Sequence, residues 1–401
     1  MSGVFKAARV TDHVYWVGAI DWSIRDFHGY LTSRGSTYNA YLILADKITL
    51  VDTVKRPFRE EMLSRIASVI DPGDITYIIS NHSEMDHSGC LPEVIQAVKP
   101  EKVFASVMGA NALAEHFHLD REIVAVKDGE SISLGNMNVS FVETRMLHWP
   151  DSMFTYLAED GVLFSQDAFS MHLASSERFD DEIGDDLLNY EAARYFANIL
   201  LPLSSAVVKC LEKMRSLDIT MRIVATDHGP IWRKDVNRIV ELYSRWAAQK
   251  PTKKAVVAYD TMWQSTAMMA RAIGEGLKAG GADAKLMPLR ACHRSDVATE
   301  ILDAGALLVG SPTLNNNLFP TVADALTYLK GLKPRNLIGA AFGSYGWSGE
   351  AVGQVEDVLR GMKVDLIGES IKVKYVPDDE ALAQCYSQGM LVAEKLRELC
   401  Q

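Results

Sequence analysis

The chain has 401 residues, 48% hydrophobic and 23% charged, with a formal net charge of −11. The length suggests two or three domains and the composition an ordinary globular core, while the negative charge disfavours nucleic-acid and anionic-membrane partners, which reward basic patches. Five scattered cysteines (Cys90, Cys210, Cys292, Cys385 and Cys400) form no Cys-x-x-Cys pair, which argues against a disulfide framework and against a sulfur-ligated metal site.

The opening residues, Met1-Ser2-Gly3-Val4-Phe5-Lys6, lack the long apolar stretch of a signal peptide. No later segment approaches the roughly 20 apolar residues of a membrane helix. A cytoplasmic location is the default expectation. Val14–Gly18, Tyr38–Leu44 and Ile48–Asp52 read as strands, followed by a helix from about Arg59 to Ile70 that Asp71-Pro72-Gly73 stops. Ile75–Ile79, Lys102–Ala105, Val139–Val142 and Gly161–Ser165 continue the strands, and longer helices run from about Leu188 to Leu217. The polar stretch Gln249-Lys250-Pro251-Thr252-Lys253-Lys254 marks a boundary, giving domains 1–250 and 251–401.

Beyond that seam the rhythm is regular. Strands at Ala255–Tyr259, Ala284–Leu289, Ala306–Gly310, Leu337–Phe342 and near Ile371 alternate with helices at Thr266–Ala279, Asp296–Ala304, Val322–Leu329, after Gly349, and Asp378–Leu399. This βαβαβ order predicts a doubly wound parallel sheet with ligand loops at the strand C-terminal ends.

The run Asn81-His82-Ser83-Glu84-Met85-Asp86-His87 sets two imidazoles and two carboxylates on a loop behind a buried strand. Such ligands suit borderline metals such as iron, manganese or zinc. His148, Asp167 and His228 follow, each beside strand-like sequence. A single His or Asp of this kind is more often an ordinary core or surface group. Together they exceed what one ion needs, whereas two ions sharing a bridging carboxylate would use them all. The order resembles the metallo-β-lactamase fold family, whose run is His-x-His-x-Asp-His followed by His, Asp and His. Glu84 departs from it by replacing the second His. An anionic oxygen there makes the site harder and more negative, favouring Fe(III) and redox cycling over zinc-type water activation. The resemblance implies that His82, Glu84 and His148 hold one metal, that Asp86, His87 and His228 hold the other, and that Asp167 bridges. No catalytic residue beyond these is singled out. His116 and His118 lack a matching carboxylate and read as structural, His172 is an unassigned pocket residue, and Asp227 orients ligands or is structural.

Three loops of the second half fall where a doubly wound sheet binds a nucleotide. Asp260–Thr266 offers hydroxyls and a helix N-terminus to a phosphate. Ser311–Asn317 is the second loop, and Gly343–Gly349 brings two aromatics suited to stacking. Any one alone is an ordinary strand–helix turn, and none is a G-x-G-x-x-G, which disfavours NAD. The trio resembles flavodoxin, with Trp263 where many flavodoxins have Gly. FMN is therefore expected against Thr261, Met262, Trp263, Ser265 and Thr266; Ser311, Pro312, Thr313, Leu314, Asn315 and Asn316; and Ser344, Tyr345, Gly346 and Trp347.

A metallo-β-lactamase-like αββα sandwich followed by a flavodoxin-like sheet is similar to the flavodiiron (A-type flavoprotein) family. Without a rubredoxin or flavin-reductase extension, the chain resembles the short form, rubredoxin:oxygen oxidoreductase. The resemblance implies a diiron site and FMN, reduction of O2 to water or of NO to N2O, and electrons from a rubredoxin-like donor. It also implies a head-to-tail homodimer, or a dimer of dimers, in which Trp149 and Trp347 line the contact unless they are core aromatics. Two other readings stand beside it. A zinc hydrolase fused to a flavodoxin is separated by metal analysis. An electron carrier or redox sensor is separated by whether the reduced protein consumes either gas. O2 against NO, and the identity of the donor, stay open at this level.

Overall fold

Short runs of β-branched and aromatic residues, each closed by a polar turn, build the first half as strands. The computed structural model describes residues 4–217 and 219–400. The chain forms two compact units, Met1–Tyr195 with Ser205–Ser244, and Phe196–Ser204 with Arg245–Gln401.

In the first unit, β1 (Ala8–Arg9), β2 (Val14–Trp16), β3 (Tyr41–Ile43), β4 (Thr49–Val51), β5 (Tyr77–Ser80), β6 (Lys102–Ser106) and β7 (Val124–Val126) form one sheet in that order. Pairing is antiparallel from β1 to β4 and parallel from β4 to β7. A second sheet runs β8 (Ser131–Ser133), β9 (Asn138–Glu143), β10 (Met153–Leu157), β11 (Val162–Gln166) and β12 (Ile223–Thr226). Alternation along each strand decides what each residue packs against. Ile79, Val51, Ile43 and Trp16 meet Phe141, Leu157 and Phe164 of the second sheet in one core. Their neighbours Ile78, Leu50 and Leu42 pack on the other face against α1 (Arg59–Ile66), α2 (Leu91–Val98) and α3 (Val107–Phe117).

Four features of the first 250 residues differ from expectation. The run Tyr38–Leu44 is not one strand. Ser36–Tyr38 pairs with Ala19–Asp21, and the chain leaves that ladder at Asn39 before β3 begins. Asn39 turns inward, where its amide donates to the Thr226 and Gly229 carbonyls. The helix from Arg59 ends at Ile66. The helical stretch Leu188–Leu217 is α4 (Asp185–Tyr195), a π turn at Phe196–Leu200, a 3-10 turn at Leu201–Leu203 and α5 (Ser204–Ser216). By length and composition Asp185–Ser216 passes for a membrane helix, but more than half of its most apolar window is buried in the fold. Helix α6 (Val236–Ala248) was not anticipated.

The second unit has the expected parallel sheet. Strands β13 (Lys254–Tyr259), β14 (Asp283–Pro288), β15 (Ala306–Gly310), β16 (Ile338–Tyr345), β17 (Asp365–Leu366) and β18 (Ile371–Lys374) take the order β14-β13-β15-β16-β17, with β18 also on β16. Helices α7 (Ser265–Ala279), α8 (Arg294–Ile301), α9 (Pro320–Leu332), α10 (Glu350–Gly361) and α11 (Asp379–Leu399) connect or follow the strands. The order reverses around β13, so β13 and β15 open a crevice at their C-terminal ends. Helices α7 and α11 approach closely through glycines: a Cβ on Gly276 would lie 2.0 Å from the Tyr386 carbonyl oxygen, and one on Gly389 2.2 Å from that of Ile273.

Candidate metal centre

Strand ends deliver every member of the histidine–carboxylate set. The chain leaves β5 at Ser80 into Asn81, whose backbone N–H and side-chain amide both donate to the buried Asp52 carboxylate, each at 2.7 Å. Thr155 Oγ1 donates to Asn81 Oδ1, and the Ser83 N–H donates to Asp151 Oδ2. Pinned this way, the loop sends His82 and Glu84 inward before the single-turn helix Met85–Ser88 presents Asp86 and His87. His148 sits in the turn between β9 and β10. Asp167 follows β11, where Gln166 adopts a left-handed backbone and donates to the Leu147 carbonyl. His228 follows β12, and its Nδ1 lies 2.6 Å from the Thr37 carbonyl oxygen, which leaves Nε2 facing the centre.

The seven side chains converge in two sets. His148 Nε2 lies 2.7 Å from Asp167 Oδ2 and 3.0 Å from Glu84 Oε2, and His82 Nε2 lies 3.3 Å from the same Asp167 oxygen. On the other side His87 Nε2 is 3.1 Å from His228 Nε2, and each is 3.3–3.4 Å from Asp86 Oδ2 and Asp167 Oδ1. Within each set, ligand-capable atoms lie within 4.8 Å of one another. His82 Nε2, Glu84 Oε2, both Asp86 oxygens and Asp167 Oδ1 are buried without a hydrogen-bond partner. Buried polar atoms are seldom left so, and this donor set of imidazoles and carboxylates fits a pair of borderline cations.

The electrostatics are those of a cluster tuned by its own charges. Burial alone would depress the His82 imidazole, but the Asp167 carboxylate overrides it and pushes the pKa up to about 9. His148 is likewise carried against burial by Asp167 and Glu84, to about 10. His87 is raised well above the ordinary histidine value by Asp86, Asp227 and Asp167. Conversely, burial would raise Asp86 and Asp167, yet the facing imidazoles hold both well below the carboxylate range. Asp227, buried beside Asp52, is pushed well above it.

His172 is drawn into the same pocket. Its ring centroid is 4.5 Å from that of His228, its Nδ1 is 2.8 Å from Ser36 Oγ, and Phe27, Tyr30 and Tyr195 wall it in. Burial, then His228, holds it well below the ordinary histidine pKa, so it is neutral. His28, which sequence reasoning missed, reaches within 3.8 Å of Glu84 Oε1 from the hairpin Asp26–Leu31. His116 and His118 are exposed at the end of the helix Val107–Phe117 and join no candidate metal group among the described residues.

In the second unit a cavity of about 650 Å³ opens at the three loops. That volume suits a ligand of nucleotide size. Met262, Trp263, Ser265, Pro312 to Asn316 and Ser344 to Trp347 line it, as do Ser348, Tyr375 and Val376. Tyr375 and Val376 follow β18 and carried no motif. Thr261, Thr266 and Ser311 stand behind the lining, buried: Thr266 Oγ1 is 2.9 Å from Ser344 Oγ, and Ser311 Oγ accepts the Phe319 N–H. Thr261 Oγ1 is buried without a partner. Asp260 anchors the first loop by accepting from the Thr261 N–H, Arg290 Nε and Thr321 Oγ1 at 2.6, 2.8 and 2.6 Å. Trp347 and Trp263 are 88% and 90% exposed, which removes the core reading of Trp347; Trp149 is half-buried.

Known proteins resemble the chain along nearly its whole length. Residues 37–229 match the ODP family beta lactamase model and residues 257–389 the flavodoxin model. A nitric oxide reductase of Moorella thermoacetica is 46% identical, over 97% of this chain and 98% of that protein. The solved rubredoxin oxygen:oxidoreductase of Desulfovibrio gigas is 45% identical and superimposes with a TM-score of 0.96, covering 98% of this chain and 99% of that one. The flavodiiron protein of Giardia intestinalis gives 0.95 at 34% identity, covering 98% of each. With both halves matched in order and relatives this similar from end to end, the chain belongs to the flavodiiron protein family.

Proposed function

We propose that this chain is an oxidoreductase that reduces O2 to water, NO to N2O, or both, at an iron pair, with electrons passed through FMN from a rubredoxin-type donor. His82, Glu84 and His148 hold one iron, Asp86, His87 and His228 the other, and Asp167 bridges. The observation that carries the reading is how Asp167 divides: its Oδ2 faces the first set and its Oδ1 the second. When bound, the iron pair supplies an electron pair and a place for a diatomic gas, and reduced FMN supplies a further electron pair. The chain's own part is to hold the ligands on pinned loops and to wall the centre with Phe27, Tyr30 and Tyr195 against bulk water. Residues 1–250 form the metal half and 251–401 the flavin half, where the Asp260–Thr266 loop takes the phosphate and the Ser311–Asn316 and Ser344–Trp347 loops flank the ring. A cytoplasmic homodimer completes the reading. Its support is the apolar rim of Trp263, Trp347, Tyr375 and Val376, all 60% or more exposed around the flavin cavity.

The test is Asp167→Ala in the full chain. Iron content and consumption of both gases are expected to collapse while bound flavin stays at the wild-type level. Full retained activity would remove the bridging role. Wild-type protein that takes up zinc and no iron would shift the reading to the hydrolase alternative.

A further inference from the structure

Behind the two metal sets lies the buried carboxyl group of Asp227, beside that of Asp52. Asp227 Oδ2 is 3.7 Å from His82 Nδ1 and 3.5 Å from His87 Nδ1. All three atoms are buried and have no hydrogen-bond partner. The two rings turn their Nε2 atoms to opposite sides of the centre, His82 toward Asp167 Oδ2 and His87 toward Asp167 Oδ1 and Asp86. One oxygen therefore stands at the back of one imidazole from each set.

The backbone holds that oxygen in place. The Asp227 N–H donates to the Gln166 carbonyl at 3.0 Å, and the Asp227 carbonyl accepts the Asn39 N–H at 2.8 Å. Asn39 is itself tied to Trp16, Thr226 and Gly229. His228 does not share the arrangement, because its Nδ1 already meets the Thr37 carbonyl. The separations at Asp227 exceed a good hydrogen bond by a few tenths of an ångström.

We infer that Asp227 is a positioning residue shared by both metal positions. It accepts the Nδ1–H of His82 and of His87 on one oxygen and so fixes both rings in the tautomer that leaves Nε2 for metal. Resting on the two-metal reading above, the inference adds that the two positions are coupled from behind as well as through Asp167. An acceptor behind a ligating imidazole orients the ring and raises its basicity, and losing it weakens metal binding by roughly 10–100-fold. Here one substitution reaches both metals.

Cobalt(II) titration of the full-length protein, followed by its visible absorption, tests this without relying on turnover. Wild type is expected to take two equivalents. Asp227→Ala is expected to weaken both by roughly tenfold or more, and Asp227→Asn, which keeps an acceptor oxygen, to recover part of the loss at both. Weakening confined to one equivalent, or none in a folded Asp227→Ala protein, overturns the inference while leaving the two-metal reading standing. Wild type that binds fewer than two equivalents removes that reading and the inference with it. A measurement on wild type alone covers a variant that fails to fold. In the zinc-loaded protein with 15N-labelled histidine, both His82 and His87 are expected to carry a slowly exchanging Nδ1 proton, and an unprotonated Nδ1 on either ring overturns the sharing.

Discussion

Proton exchange is the first thing a metal must do at this centre. Without a cation, His82 and His148 hold their protons to about pH 9 and 10 because Asp167 and Glu84 outweigh the burial that opposes them. Such raised histidines stabilise the metal-free fold fully below the ordinary imidazole pKa of about 6.5, and that stabilisation is lost as the pH rises through 9 to 10. A metal needs both rings neutral, so binding expels the protons. Zinc uptake at pH 7 is therefore expected to release protons, with the apparent affinity rising up to about tenfold per pH unit for each proton displaced until these pKa values are passed. Calorimetry in buffers of different ionisation heat measures the number, and none released would show that the imidazole–carboxylate pairs do not exist in solution. Much of the site was legible at this scale because the first four candidate ligands are packed into one loop and Asp227 adjoins His228. His28 was not, since an isolated histidine in a hairpin has no partner nearby in sequence, and only the fold brings it to Glu84.

Loops and helices set the next level of control. The first flavin loop hangs on Asp260, a buried carboxylate whose charged partner Arg290 is half exposed. Arg290→Ala removes that partner, one of three donors to Asp260 and the donor to the Thr261 carbonyl, while leaving the residues that line the cavity in place. The expected cost is about 1–2 kcal/mol, moderated by solvent, or roughly tenfold weaker FMN binding with iron content unchanged. Fluorescence titration of the flavin-stripped protein reads it, and unaltered affinity would show that the Thr261 N–H and the Thr321 hydroxyl hold the loop without Arg290. At the glycine contact of α7 and α11, Gly389→Val drives a side chain into the Ile273 carbonyl. A loss of about 2–3 kcal/mol is expected, seen as a lower melting temperature for the flavin-binding unit. Most elements of this unit were readable because parallel strands buried on both faces are continuous apolar runs. The first unit was harder. Tyr38–Leu44 looks like one strand by composition, and nothing local reveals that Asn39 breaks it to bind carbonyls nearly 190 positions away.

For the whole molecule the proposed association is the open quantity. Tryptophans as exposed as Trp263 and Trp347 on the rim of a cavity are a solubility liability unless covered. Sedimentation is expected to give a dimer for wild type and a shift toward monomer for the double variant Trp263→Ser with Trp347→Ser. A wild-type monomer, or a dimer indifferent to both changes, would move the contact elsewhere. Nothing in composition announced the other large-scale feature, the assignment of Phe196–Ser204 to the second unit. Asn198 in that segment donates to the Ser295 carbonyl and accepts from the Tyr328 hydroxyl. On the ribosome, this segment emerges before the last strand of the metal unit, while Ser295 follows it 97 residues later. The metal unit is therefore complete once Ser244 has emerged, whereas the flavin unit closes only when its later residues meet a segment made long before them. A chimera that exchanges flavin modules between relatives has to move residues 196–204 along with the C-terminal part, or it will join a module to the wrong nine residues.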